Sequence, residues 1–137
     1  MHTVITYILC LITGVTVQAQ NTIEVSLTDF SNNDGTVKVG LYNEAGDFLG
    51  KAYQALTSEI TNKEAEVTFS DVPDGTYAIS GFHDEDNDGE LKMRFGMIPA
   101  ESYGCSNGAK GFFGPPKWED AKFEVKNGEV RQLEISL

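Results

Sequence analysis

The feature that most constrains this chain is a two-residue alternation of apolar and polar side chains, which returns in short runs between clusters of turn-forming residues. Ile23, Val25 and Leu27 alternate with Glu24, Ser26 and Thr28, and Val37, Val39 and Leu41 repeat the pattern. Alternation of this kind places every apolar residue of a run on one face of an extended strand, with the other face in water. It recurs in Ala65, Val67 and Phe69, in Thr76 to His83, in Ala121, Phe123 and Val125, and in Val130, Leu133, Ile135 and Leu137. The intervening Ser31-Asn32-Asn33-Asp34-Gly35, Asn43-Glu44-Ala45-Gly46-Asp47, Asp71-Val72-Pro73-Asp74-Gly75 and Asn127-Gly128 supply residues that tolerate positive φ or preset a turn.

Short strands separated by turns, with no convincing amphipathic helix and no internal repeat, predict an all-β fold. The expected architecture is a small antiparallel β-sandwich of about seven strands, immunoglobulin-like in its strand count or, by the resemblance of its Pro73 corner, prealbumin-like. The first two strands are expected to pair across Asp34-Gly35, and the last two to form a hairpin across Asn127-Gly128, with a bulge at the irregular step from Val130 to Leu133. Phe48 to Thr61 fits neither strand nor helix period, and Ala52 to Leu56 reads as a short helical turn or an irregular crossing. The stretch Phe69-Ser70-Asp71-Val72-Pro73-Asp74-Gly75-Thr76-Tyr77 resembles the corner of prealbumin-like and carboxypeptidase-regulatory-like sandwiches. That resemblance makes Tyr77 structural, its ring locking the corner.

The 137 residues suffice for one domain preceded by a leader. Met1 to Gln20 contains no Lys, Arg, Asp or Glu, carries a short apolar run, and reaches Val17-Gln18-Ala19. Small residues after an apolar core are what a signal peptidase reads, so residues 1–19 are expected to be a signal peptide cleaved after Ala19, and residues 20–137 the sandwich. Thr3, Thr6, Thr13 and Thr16 interrupt the run, which argues against a membrane anchor, and no span follows cleavage. The expected destination is the periplasm or the medium. Cys105 is then the single cysteine of the mature chain, so no internal disulfide can form. All 21 acidic and 10 basic side chains fall in the mature part, and the formal net charge of −11 excludes nucleic acid and anionic lipid as natural partners. A partner at the envelope or outside the cell is expected.

The strongest chemical signal is Asp84-Glu85-Asp86-Asn87-Asp88-Gly89-Glu90. Asp at alternate positions followed by Gly is how an oxygen-lined calcium loop begins. Asp84, Asp86 and Asp88 are the expected ligands, Gly89 permits the tight turn, and Glu90 can add its backbone carbonyl. Phe95 stands where an EF-hand needs its bidentate Glu and neither flank is helical, so this is not an EF-hand. Glu101, Glu119 and Asp120 are candidates for a further ligand. The alternative is a solvated hairpin tip whose Asn87-Asp88-Gly89 serves only to turn the chain.

Leu91 to Trp118 is a long irregular segment in which Phe95, Met97, Ile98, Tyr103, Phe112, Phe113 and Trp118 sit among glycines and the pair Pro115-Pro116. It reads either as a flap covering one end of the core or as a ligand surface using Tyr103, Phe112 and Trp118. His83 and Cys105 have the chemistry of a base and a nucleophile, but no spacing associated with catalysis accompanies them.

From His83 to Phe123 the chain resembles the bacterial domain of unknown function 2141 family. The residues that carry the likeness are His83 through Leu91, Gly96-Met97-Ile98-Pro99, Tyr103-Gly104, Ser106-Asn107, and Gly114-Pro115-Pro116-Lys117-Trp118-Glu119-Asp120-Ala121. With the flanking strands the likeness spans nearly the whole mature chain, and it implies an exported bacterial protein of unestablished activity. Cys105 and Trp118 depart from the family pattern, where other aromatic or apolar residues are usual, and this weakens the case for a catalytic thiol. The chain thus reads as an exported non-enzymatic module with calcium at Asp84, Asp86 and Asp88. Small-ligand or carbohydrate binding by residues 91–118 and hydrolysis are the alternatives.

Overall fold

The structure, a computed structural model, describes residues 20–89, 93–94, 98–99, 102–110 and 114–137. The expected leader at 1–19, and with it Glu90, Glu101 and Phe112, lie outside the described residues. The strands are β1 (Asn21–Thr28), β2 (Thr36–Tyr42), β3 (Gln54–Glu59), β4 (Ala65–Val72), β5 (Gly75–Asp84), the short β6 (Met93–Arg94) and β7 (Ile98–Pro99), β8 (Tyr103–Cys105), β9 (Phe123–Val125) and β10 (Val130–Ser136). One turn of helix, α1 (Trp118–Ala121), precedes β9, and single 3₁₀ turns lie at Ala45–Asp47 and Ser106–Gly108.

Two sheets face each other, one ordered β10-β1-β4 and the other β3-β2-β5-β8, with β9 pairing β5 beyond the end of β8. The alternation read from the sequence decides which side chains meet between them. Ile23, Val25 and Leu27 of β1, Val67 and Phe69 of β4 and Ile135 of β10 pack against Val37, Val39 and Leu41 of β2, Ile79 of β5 and Val125 of β9. Each fully buried aliphatic or aromatic side chain contributes about 1.5–3 kcal/mol, and with no disulfide among the described residues this burial carries the fold. The all-β sandwich expected from the sequence is what the chain forms.

Both expected hairpins are corrected. β1 and β2 belong to different sheets, and so do β9 and β10; β10 instead pairs in parallel with β1, from Thr22 opposite Val130 to Thr28 opposite Ser136. That register is unbroken, so the step from Val130 to Leu133 is no bulge, and the irregularity lies between β1 and β4 at Asn21 and Ile23. Asn127 and Gly128 do adopt positive φ, 63° and 69°, as their types favour. A turn dipeptide bends the chain locally, whereas burial of both apolar faces decides whether the next strand stays in the sheet or crosses to the other. Likewise Ala52 to Leu56, which reads as a helical turn or irregular crossing, leads into and joins strand β3, paired with β2 from Thr36 opposite Glu59 to Leu41 opposite Gln54. Its residues are alternately half-buried and exposed, so it lacks the strong two-face contrast that periodicity detects.

The Pro73-Asp74 corner is built as its resemblance implied. The Tyr77 hydroxyl donates to the Pro73 carbonyl at 2.7 Å. Burial, then the nearby Tyr53 and Asp74, raises the Tyr77 phenol above its ordinary pKa and keeps it a donor at physiological pH. Tyr77→Phe keeps the ring and removes this bond, and is expected to cost about 1 kcal/mol of stability, read as a lower urea midpoint at unchanged m-value.

Candidate metal centre

β5 runs from the middle of the core to its last residue, Asp84, and passes directly into the acidic loop. His83 and Asp84 are both fully buried, the former turned to the core side beside Val37 and the latter at the mouth of the loop. The Asp84 carboxylate folds the loop over itself, accepting the Asp88 N–H through Oδ1 at 3.2 Å and the Gly89 N–H through Oδ2 at 2.8 Å. Its carbonyl accepts the Asn87 N–H at 3.3 Å. Asn87 and Gly89 supply the positive φ, 56° and 78°, that so tight a reversal requires.

This folding brings one carboxylate oxygen each from Asp84, Asp86 and Asp88 within 4.8 Å of one another. Oxygens bound to one calcium ion at about 2.4 Å cannot lie farther apart than about twice that distance, so the separation fits a shared cation. Asp86 and Asp88 are exposed, and each oxygen of Asp84 keeps a second lone pair after accepting its N–H. Charges at this spacing repel by about 1–3 kcal/mol per pair, which a divalent cation would reverse. Glu119 and Asp120 are not part of the cluster: Glu119 pairs with Lys122 at 2.7 Å, and both sit on α1.

The loop is braced by the arch that joins β1 to β2. Thr36 donates its hydroxyl to Asn87 Oδ1 at 2.8 Å, and His83 Nε2 lies 2.6 Å from the Asp34 carbonyl. A carbonyl can only accept, so His83 carries its proton on Nε2 in this contact. Among the described residues its Nδ1 has no hydrogen-bond partner, and it lies 3.7 Å from a Glu85 carboxylate oxygen, while Phe30 meets the ring edge-on at 5.1 Å. Gly35, at φ +67°, packs so closely that a Cβ there would lie 2.0 Å from the Asp84 carbonyl oxygen. In sequence Asp34-Gly35 signals only a turn; its seat against the acidic loop depends on the pairing of β2 with β5.

Of the other candidate residues, Tyr103 and Trp118 are among those described. Tyr103 is half-buried opposite Phe82 and lines a cavity of about 590 Å³ between the edge strands β8 and β10, together with Lys110 and Glu134 to Leu137. Trp118 packs against the cluster that holds Cys105 and Ala109, two residues that also line this cavity, and lies edge-on to Phe48 at 6.0 Å, which in turn meets Tyr42 edge-on at 5.4 Å. His83 and Cys105 belong to opposite faces of the second sheet. Cys105 packs with Ala78, Ala109 and Ala121 under Phe48 and Trp118, so the two do not form a nucleophile and base.

Ser106 and Asn107 carry no sequence signal of a role beyond the family-like pattern, and they fasten α1 and β9 to β5. The buried Ser106 hydroxyl donates to the Ala121 carbonyl at 2.6 Å and accepts the Ile79 N–H at 3.0 Å. Asn107 donates to the Lys122 carbonyl at 2.8 Å. Beside them, burial pushes the Cys105 thiol up to about 11, against a smaller lowering by a hydrogen bond from Ser80. The folded state therefore holds this proton more tightly than the unfolded chain. Its contribution is complete below the ordinary thiol pKa of 9.0 and is lost as pH rises through about 11. At neutral pH, iodoacetamide is expected to label native Cys105 far more slowly than the urea-unfolded chain, measured by intact mass.

No curated protein and no solved structure matches the chain. Residues 25–132 match the family described as uncharacterized protein conserved in bacteria, DUF2141. Since that match runs from β1 into β10 and takes in the acidic loop, the chain belongs to this bacterial family.

Proposed function

We propose that the protein is an exported, non-enzymatic β-sandwich module that binds calcium through Asp84, Asp86 and Asp88. The observation that carries this reading is the convergence of the three carboxylates within 4.8 Å at the end of the central strand. An all-carboxylate donor set suits hard cations, and softer metals would favour imidazole or thiolate. A surface loop with two exposed ligands suits calcium, which accepts irregular geometry and several waters, better than magnesium, which requires near-octahedral order. The apolar, uncharged Met1 to Ala19 supports export, to compartments where calcium reaches concentrations that a modest site can use.

An ion bound only by the folded chain stabilises it by mass action, about 2.7 kcal/mol at a hundredfold excess over Kd. Millimolar calcium is expected to raise Tm, with EDTA reversing the shift and magnesium giving a smaller one. Asp86→Asn and Asp88→Asn are the informative variants, because both residues are exposed whereas Asp84 also organises the loop. Each is expected to weaken calcium binding at least about tenfold in titration calorimetry while leaving the calcium-free Tm unchanged or higher. An unchanged Tm and no heat at millimolar calcium would remove the proposal.

A further inference from the structure

The chain contains the dipeptide Asn-Gly twice, at Asn107-Gly108 and Asn127-Gly128. The two sites share exposure and main-chain φ and differ in how the Asn side chain is held. All four residues are exposed, and all four have positive φ, 59° and 64° at the first site and 63° and 69° at the second. The Asn107 side chain is held by two hydrogen bonds from its amide nitrogen, to the Lys122 carbonyl at 2.8 Å and the Asp120 carbonyl at 3.4 Å. Among the described residues the Asn127 side chain has no such partner. Its turn is closed around it by Glu129 N–H to the Lys126 carbonyl at 3.3 Å and by Lys126 N–H to a Glu129 carboxylate oxygen at 3.1 Å.

We propose that Asn127 is a site of spontaneous, structure-selected deamidation, and that Asn107 is protected from the same reaction by its hold on the carbonyls around α1. In the first step the Gly128 main-chain nitrogen attacks the Asn127 side-chain carbonyl carbon. The new N–C bond closes a succinimide, the nitrogen gives up its proton, and the carbon–nitrogen bond of the side-chain amide breaks to release ammonia. Water then opens either carbonyl of the ring, leaving aspartate or isoaspartate. The net change is one water consumed and one ammonia released. Glycine favours the step because no Cβ screens its nitrogen. Rotation of the Asn side chain toward that nitrogen costs Asn107 two hydrogen bonds and Asn127 none.

The position gives the modification consequences. Residues 126–129 carry the chain from one sheet to the other, between β9 and β10. The product adds a carboxylate to a chain already at −11, and the isoaspartyl form lengthens the main chain by one methylene at this crossing. The next residue but one, Glu129, anchors the crossing to β1, its N–H donating to Asn21 Oδ1 at 2.9 Å and its carbonyl accepting the Thr22 N–H at 3.0 Å.

The test incubates the folded protein at mildly alkaline pH and 37 °C, in parallel with the urea-unfolded chain, and follows both asparagines by peptide mass spectrometry, where deamidation adds about 1 Da. In the folded protein Asn127 is expected to convert at least about tenfold faster than Asn107, the ratio that loss of two modest hydrogen bonds gives. In urea the ratio should fall to near unity. Equal rates in the folded protein, a faster Asn107, or an Asn127 that stays intact while the unfolded chain converts would each overturn the proposal. So would a ratio that persists in urea, since sequence rather than structure would then set it.

Discussion

Strand β5 is the member on which the other elements depend, because it is held along both edges while one of its faces closes the core. β2 pairs it from Thr36 opposite Asp84 to Tyr42 opposite Ala78, and its other edge is shared by β8 at Ser80 to Phe82 and β9 at Gly75 to Tyr77. A strand paired on both sides cannot slip by one residue without turning Tyr77, Ile79 and His83 out of the core. Its two ends are therefore fixed points: the Tyr77 corner at one and the acidic loop at the other. The proposed cation ligands are attached to the most constrained part of the molecule, although two of the three are themselves exposed.

Buried polar groups do the remaining work of joining the layers. Asn21, His83, Asp84 and Ser106 are the buried polar residues among those described; Asn21, His83 and Ser106 link segments distant in sequence, and Asp84 closes the loop that follows it. Asn21 donates to the Val72 carbonyl at 3.0 Å and to Asp74 at 2.8 Å, and accepts from Glu129, so one amide ties β1 to the Pro73 corner and to the β9–β10 crossing. His83 and Asp84 tie β5 to the first arch and to the loop, and Ser106 ties α1 to β5. Such groups are costly to bury unless bonded, and so favour the one arrangement that bonds them. Specificity of this kind suits a chain whose one cysteine among the described residues, Cys105, is free.

Much of the candidate site was legible locally and its supports were not. Asp84-x-Asp86-x-Asp88-Gly89 announced convergent carboxylates because alternation and a glycine turn are properties of adjacent residues, and the three do converge. Thr36, Gly35 and the Asp34 carbonyl could not be assigned to the loop, since they reach it only through the register of β2 on β5. Tyr103 and Trp118 looked like members of one aromatic surface because they share a segment. Tyr103 lies on β8 two residues from Cys105, and Trp118 packs on the small-residue cluster that includes Cys105, a placement that depends on the pairing of β8 with β5.

By itself the sequence determined which side chains face the interior, where the chain bends, and which loop concentrates carboxylates. Those outcomes follow from backbone sterics and apolar period, which act within a few residues. Only the tertiary structure decided which sheet each strand joins, as when β10 passes over its neighbour in sequence to lie parallel to β1, bonding Gln132 to Glu24 across 108 residues. It alone also decided that both His83 and Asp84, which a strand turns to opposite faces, are fully buried. The reason is that sheet membership is chosen by the joint burial of two apolar faces, a condition on the whole chain that no single segment encodes.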